Sequence, residues 1–555
     1  MTNSSRRWIY GVWLVLIAGF AVLHALNLRA DFPNHSPWHM DYAKYTDEGW
    51  YGNAAIRAHL FGNWHLPGDF NPALAVPVWP FLEWILFFVT GVTIEAARGL
   101  AVAFFFANLL LSYLLLRARG PRWMALFAVT LLVTSPFLYC FSRLAILEPM
   151  LIALNLAALN LAIRLPRLRR PVWASAFIGV LFTLMMLTKT TAIFLLPALG
   201  WAIVLPLWKR RRIAPWALNL AQRCASAAAV AFAVAFGLWM ALVAGFGFFP
   251  DYKYLFFVNT YPKPKEFYWP LLSFWWSFHG GLWVDHILIP LAGAVALAAA
   301  IAGIWLSRRA AWGRKLLLDP VFGASVLAVA GYILFMTYQN HPQPRYFAVV
   351  AFFSFFLVAQ GADALLLQSA RPSTQSGQGG MGQRAARLLG WGVIALAALA
   401  VGINSFWTLD YATHPEYTFV DAAERLTNYI DTHPNGNRLL VSVSGDEIAL
   451  ITHLPALCDD FGTPTPEMPD LVSKLAYYRP GWWATWNDID PGTLEDLHNR
   501  NSLEQAASFH VLDDKERNVL VLFKLHPLPG GVVRLPSEQN LQVPLPGDKI
   551  DIPVE

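Results

Sequence analysis

The chain is broken into uninterrupted apolar runs of about 20 residues, the first being "WIYGVWLVLIAGFAVLHALNL" (Trp8 to Leu28), and a run of that length is what an α-helix needs to cross a bilayer. In lipid every backbone N–H and C=O must find its partner within the segment, which leaves helices as the building material for a chain carrying many such runs. A polytopic α-helical membrane protein is therefore predicted. The first run follows "SSRR" and has the basic lead of a signal peptide, but it is longer than such a peptide and lacks a small-residue cleavage site, so it reads as a retained helix. Of the 36 acidic residues, 13 lie in residues 1–407 and 23 in residues 408–555. This shift predicts a transmembrane domain over 1–407 and a small soluble α/β domain over 408–555. Cys140, Cys224 and Cys458 are too scattered for a zinc motif, and only Cys458 falls in the soluble part, so no disulfide is expected there.

Sidedness follows from Lys and Arg in short loops, which stay cytoplasmic. Six basic clusters qualify: Arg6 and Arg7, Arg117 to Arg122, Arg164 to Arg170, Lys209 to Arg212, Arg308 to Lys315, and Arg371 to Arg387. All six share one side if the helices run over 8–28, 97–117, 122–140, 149–165, 172–188, 190–208, 223–246, 287–307, 319–338, 346–366 and 388–407. That gives about eleven crossings, with the N-terminus inside and the C-terminus outside. The run "ALAVPVWPFLEWILFFVTG" (Ala73 to Gly91) cannot also cross without moving every later cluster to the far side. Its Pro77, Pro80 and Glu83 suit an interfacial or re-entrant helix on the outer face. The segment "RPSTQSGQGGMGQRAAR" (Arg371 to Arg387) reads as a flexible cytoplasmic linker. In the soluble part, "TFVDAAERLTNYIDTH" (Thr418 to His433) has helical periodicity, while "RLLVSVSG" (Arg438 to Gly445) and "NVLVLFKL" (Asn518 to Leu525) read as strands. The tryptophans of "RPGWWATWND" suit a buried core better than a sugar-stacking surface, and the tail from Pro527 reads as extended.

On this topology Asp47, Glu48, Glu148, Lys189, His279, Asp285, His286 and Arg345 share the outer face. Any one of them alone is most simply a solvated loop residue. Glu148 and Lys189 stand apart because each sits at a break between apolar runs, where an ionisable group is costly unless paired or functional. A carboxylate beside fixed Arg and Lys can accept a proton and hold an anion such as phosphate.

Four stretches, "YTDEGWYGNAAIRAHLFGNWHLPG", "SPFLYCFSRLAILEPML", "LTKTTAIFLLPAL" and "HPQPRYF", resemble in their order and spacing the C-type membrane glycosyltransferases. The resemblance, which covers about residues 8–366, is to the bacterial relatives of protein O-mannosyltransferase and lipid A aminoarabinose transferase. It implies inverting transfer of a sugar from a polyprenyl-phosphate donor to a glycan, lipid or protein acceptor, on the outer side of the cell membrane. Carried over by position, Asp47 resembles the first-loop catalytic acid and Glu148 the second-loop acid, with Arg345 and Lys189 holding the carrier phosphate. Tyr51, Tyr346 and Glu48 are grouped with the substrate contacts. A helix starting near Thr46 sets Asp47 on one face with Tyr51 and turns Glu48 away, toward water. Relatives of the aminoarabinose transferase carry Lys-Pro where this chain has Asn71-Pro72, and the second acid is commonly Asp. Glu83, His279 and His286 are candidate ligands for a divalent cation, although no spacing among them is diagnostic. Membrane lipid is the other partner expected, and no nucleic acid. The competing classes are a transporter or lipid flippase, against which stand the clustering of charge at one face and the lack of an inverted repeat, and a non-catalytic scaffold.

Overall fold

The computed structural model describes residues 3–33, 47–69, 72–210, 216–253, 284–304, 311–339, 343–369, 379–458, 470–487, 489, 491–511 and 518–529. His279, the stretch from Tyr261 to Pro270, and the tail beyond residue 529 lie outside them. Seven described helices are long and apolar enough to cross a membrane, and five shorter apolar helices of 10 to 17 residues accompany them. One of the five, Val78–Thr90, lies in the run read as non-spanning. Its 13 residues extend about 20 Å at 1.5 Å per residue, short of a hydrocarbon core of about 30 Å.

The helices that position the site are α1 (Asn3–Ala25), α2 (Asp47–Phe61), α3 (Pro72–Ala75), α4 (Val78–Thr90), α5 (Ile94–Arg117), α6 (Arg122–Val133), α7 (Pro136–Phe141), α8 (Glu148–Ala162) and α9 (Pro171–Met186). The predicted helix over 122–140 is split into α6 and α7, because Pro136 cannot continue the ladder and Ser135 Oγ accepts from Leu138 N to start a new helix. The predicted helix over 190–208 opens as a 3-10 turn, Thr190–Leu195, before α10 (Leu196–Arg210). Helices α11 (Trp216–Gly245), α12 (Phe249–Lys253), α13 (Leu288–Ile304), α14 (Ala311–Leu317), α15 (Pro320–Gln339), α16 (Phe347–Ser369) and α17 (Gly379–Thr413) follow. Helix α17 begins inside the segment read as a flexible linker and runs past residue 407.

Apolar side chains do not drive helices together in lipid, so close packing and polar contacts must do so. Helix α9 lies against α11 closely enough that a methyl at Gly179 would sit 2.1 Å from Ala228 O, and Ser175 Oγ donates to Cys224 O at 2.6 Å. Asn108 of α5 donates to Pro149 O at the start of α8 at 2.8 Å. At the end of α5 opposite Arg98, Arg119 pairs with Asp319 at 2.7 Å, and Asp319 also caps α15 through Val321 N and Phe322 N.

The C-terminal unit begins with α18 (Thr418–Thr432), followed by β1 (Leu440–Val441), α19 (Gly445–Thr452), β2 (Ala456–Leu457), α20 (Leu471–Tyr478), β3 (Trp482–Trp486), α21 (Pro491–His498), β4 (Asn501–His510) and β5 (Val519–Pro527). The sheet order is β2-β1-β3-β5-β4. Strands β2, β1 and β3 run parallel, and β5 pairs antiparallel with β3 and β4. The two-residue period of a strand sorts β3 onto two faces. Trp482, Ala484 and Trp486 pack with Leu520 and Leu522 beneath α18, while Trp483 packs with Val521 and Phe523 on the opposite face. All three tryptophans are buried, as a core reading requires. Cys140, Cys224 and Cys458 are all buried, and no disulfide joins them.

The unit is tied to the membrane part by the chain leaving α1. Asp31 Oδ2 accepts from Phe419 N at 2.7 Å and Val420 N at 3.2 Å, capping α18, while Asp31 N donates to Glu416 O at 2.7 Å. Single cysteines at Asn63, beyond α2, and at Arg169, between α8 and α9, are expected to react with a membrane-impermeant maleimide from opposite sides of the membrane. Labelling of both from one side would refute the arrangement.

Candidate active site

Helix α2 has a different neighbour on each of three stripes, set by the four-residue spacing that returns a helix to the same face. The stripe of Asp47 and Tyr51 carries the exposed acid. The side chain of Asp47 is 16% exposed, and Arg345 Nη2 meets its Oδ2 at 2.9 Å. Arg345 sits in the 3-10 turn Pro344–Tyr346 that leads into α16. Its guanidinium carbon lies 5.2 Å from the centroid of the Tyr346 ring.

The same ring receives a second cation. Lys189 Nζ is 4.9 Å from the Tyr346 centroid and 5.8 Å from that of Tyr51, distances at which a ring face attracts an ammonium. Lys189 ends the break between α9 and the 3-10 turn and forms a buried ion pair with Glu148, the first residue of α8. Burial pulls the Lys189 ammonium below its usual range, with the Glu148 charge opposing that and the Arg345 charge adding to it. Burial raises the Tyr51 hydroxyl, and the Asp47 charge raises it further. Asp47, Tyr51, Glu148, Lys189, Arg345 and Tyr346 thus form one electrostatic cluster, drawn from segments nearly 300 residues apart in the chain. Behind it, Thr191 Oγ1 and Tyr332 Oη lie 3.0 Å apart.

The second stripe, Glu48 and Gly52, corrects a sequence expectation. Glu48 does not face water; it is fully buried. Arg98 of α5 grips it with two hydrogen bonds, Nε to Oε1 at 2.8 Å and Nη2 to Oε2 at 2.6 Å, and Ala145 N donates to Oε1 at 2.7 Å. Arg98 Nη1 donates to Leu28 O and Ala30 O. One turn on, Gly52 faces Glu83 of α4, whose carboxylate lies beside the Trp79 indole. The third stripe, Gly49, Asn53 and Arg57, faces the C-terminal unit: Gly49 N donates to Glu447 at 2.6 Å and Arg57 to Asp446 at 2.8 Å.

Of the cation candidates, Glu83 and His286 are described. Glu83 is buried against α2, His286 is exposed beside Asp285, and Asp285 caps α13 through Ile287 N and Leu288 N. Among the described residues no group of three or more His, Cys, Asp or Glu is placed to hold an ion.

Several organising residues escaped the sequence reading. Arg98 had a visible signal, a guanidinium in "EAARGLAVAFFF" at the mouth of an apolar helix, which demands a partner. Arg143 lies within a quoted stretch yet ties down α1, donating to Leu26 O and Asn27 O at 2.7 Å each. Asp446 and Glu447 gave no sequence signal, since nothing local marks a contact made 398 residues away.

The dolichyl-phosphate-mannose-protein mannosyltransferase family model matches residues 72–239. The crystal structure of ArnT from Cupriavidus metallidurans bound to undecaprenyl phosphate superposes with a TM-score of 0.57 at 14% identity, over 92% of this chain and 98% of that one. Its apo form gives 0.57 at 16% identity, over 93% and 98%. The chain shares its fold with ArnT. The apo oligosaccharyltransferase of Archaeoglobus fulgidus also superposes, with a TM-score of 0.50 at 13% identity, over 94% of this chain and 75% of that one. No curated protein matches in sequence. At these identities the superposed structures speak for the fold, and the site's chemistry has to be read from this chain's own residues.

Removing one partner of a buried charge pair strands the other and costs about 3–5 kcal/mol. Arg98→Ala and Glu48→Gln are therefore expected to lower the melting temperature in detergent well below that of Asp47→Asn. Equal melting temperatures for the three variants would refute the division of labour between Asp47 and Glu48.

Proposed function

We propose that the protein transfers a sugar from a polyprenyl-phosphate donor to a hydroxyl acceptor, with inversion, at the extracytoplasmic face of the cell membrane. The observation that carries this reading is the pairing of two acids with two cations, Asp47 with Arg345 and Glu148 with Lys189, around the rings of Tyr51 and Tyr346. Undecaprenyl phosphate bound to ArnT, which shares the fold, supports a donor of that class.

In this mechanism Asp47, the more exposed of the two acids, accepts the proton of the acceptor hydroxyl as its oxygen attacks the anomeric carbon. The bond from that carbon to the phosphate oxygen breaks on the opposite side, and polyprenyl phosphate leaves with the bonding electrons. Its growing negative charge is met by Arg345, whose planar fork suits two phosphate oxygens, and by Lys189 as a point charge. Glu148 orients Lys189 and favours its charged form against the burial that opposes it.

The test uses a panel of undecaprenyl-phosphate-linked hexoses and pentoses with membrane extract as acceptor, and it reads released undecaprenyl phosphate. Asp47→Asn keeps the shape but loses the proton acceptor, so the rate of release is expected to fall about 10²-fold or more, with binding of undecaprenyl phosphate unchanged. Near-normal release would remove Asp47 from the mechanism. Arg345→Ala and Lys189→Ala are expected to weaken undecaprenyl phosphate binding, with Arg345→Lys affected less than Arg345→Ala. Unchanged affinity in both alanine variants would overturn their assignment to the phosphate.

A further inference from the structure

Helix α2 meets the C-terminal unit along the stripe opposite its catalytic face. Gly49 comes so close to α19 that a methyl there would stand 2.2 Å from the carbonyl carbon of Asp446 and 2.3 Å from Glu447 N. The N–H of Gly49 belongs to the first turn of α2, whose amides have no partner inside the helix. That N–H donates to Glu447 Oε2 at 2.6 Å, so the helix carrying Asp47 receives a cap from a residue of another domain. Farther along the stripe, Asn53 Nδ2 reaches Asp446 Oδ2 at 3.4 Å and Arg57 Nη2 reaches Asp446 Oδ1 at 2.8 Å. Arg57 also binds Asp69 Oδ2 at 2.7 Å, and Lys474 of α20 closes the network on Asp69 Oδ1 at 3.3 Å. Every one of these side chains is buried.

We propose that Glu447, with Asp446 beside it, is a positioning residue for Asp47: the C-terminal unit sets the rotation and height of α2, and through it the reach of the base. The proposal rests on the reading of Asp47 as general base. Asp47 lies two residues before Gly49, so loss of the cap frees the turn on which the base sits, whereas Arg345 and Lys189 are held by other segments. A displacement of about 1 Å at a reacting group costs on the order of 10²-fold in rate. The Glu447 carboxyl is itself held above its usual range, first by burial and next by the Glu48 charge.

The experiment compares the full-length protein with Glu447→Ala, Glu447→Gln and Gly49→Ala in detergent, by hydrogen exchange of the α2 peptide, release of undecaprenyl phosphate from the donor panel, and binding of undecaprenyl phosphate. Glu447→Ala is expected to speed exchange in the first turn of α2 and to slow release about 10- to 100-fold, with binding unchanged. Glu447→Gln, whose amide oxygen still accepts from Gly49, is expected to recover both. Gly49→Ala, whose methyl wedges the same contact open, is expected to behave as Glu447→Ala does, and it carries the test if Glu447→Ala does not accumulate. Wild-type exchange and release in the alanine variants would overturn the proposal, as would equal losses in Glu447→Ala and Glu447→Gln or exchange rising throughout the protein. If the wild-type protein releases no undecaprenyl phosphate, the functional reading fails, and the exchange comparison alone decides whether Glu447 holds α2.

Discussion

One buried ion pair organises the structure around the site. Arg98 directs its donors to Glu48 and to the carbonyls of Leu28 and Ala30, with Asp31 Oδ1 3.8 Å from Nη2. Glu48 in turn receives the N–H of Ala145. A buried charge pair stabilises only when its remaining hydrogen-bonding capacity is also met, and here that capacity is met by four separate pieces of chain. The end of α1, the start of α2, α5 and the loop before α8 are fixed to one another through this single ion pair. Asp31, held near the Arg98 guanidinium, continues the chain of contacts by capping α18.

With that anchor in place, the geometry of α2 determines what the neighbouring acid can do. Adjacent residues on a helix point about 100° apart, so fixing Glu48 inward on Arg98 sets Asp47 toward Arg345 and Gly49 toward α19. The two carboxylates that stand side by side in the sequence therefore have opposite fates. One is sealed and structural, the other remains partly open to solvent. The cations opposite Asp47 and Glu148 are already in place, so the proposed reaction would need little reorganisation on phosphate binding, which is the condition under which fixed charges contribute most.

The helical bundle was legible because lipid imposes a simple rule on composition and length, and the observed helices depart from the expected bounds mainly where proline redirects the chain, as at Pro136. Strand β5 was legible from the run Asn518 to Leu525, whereas of Arg438 to Gly445 only Leu440–Val441 is strand, and β2, β3 and β4 were not read from the sequence. The pairing of Asp47 and Glu148 with Arg345 and Lys189 was approached through their breaks between apolar runs. The inward turn of Glu48 was not legible, because helical phase separates the faces of a helix without saying which one meets protein and which meets water. Arg98 supplies the missing sign of that choice. The contact of Gly49 with α19 lay further still from reach, since a glycine and two ordinary acids become informative only when they are neighbours in space.

The separation between Gly49 and Glu447 also has a temporal side. The two lie 398 residues apart, and at synthesis rates of about 5–20 residues per second the second is made roughly 20–80 seconds after the first. During that interval α2 exists beside a growing bundle without the surface that caps it. Helix α2 is therefore finished late, only after α19 has been made and has reached it. A ribosome that stalls before α19 leaves a bundle with its cations and both acids but with the first turn of α2 uncapped.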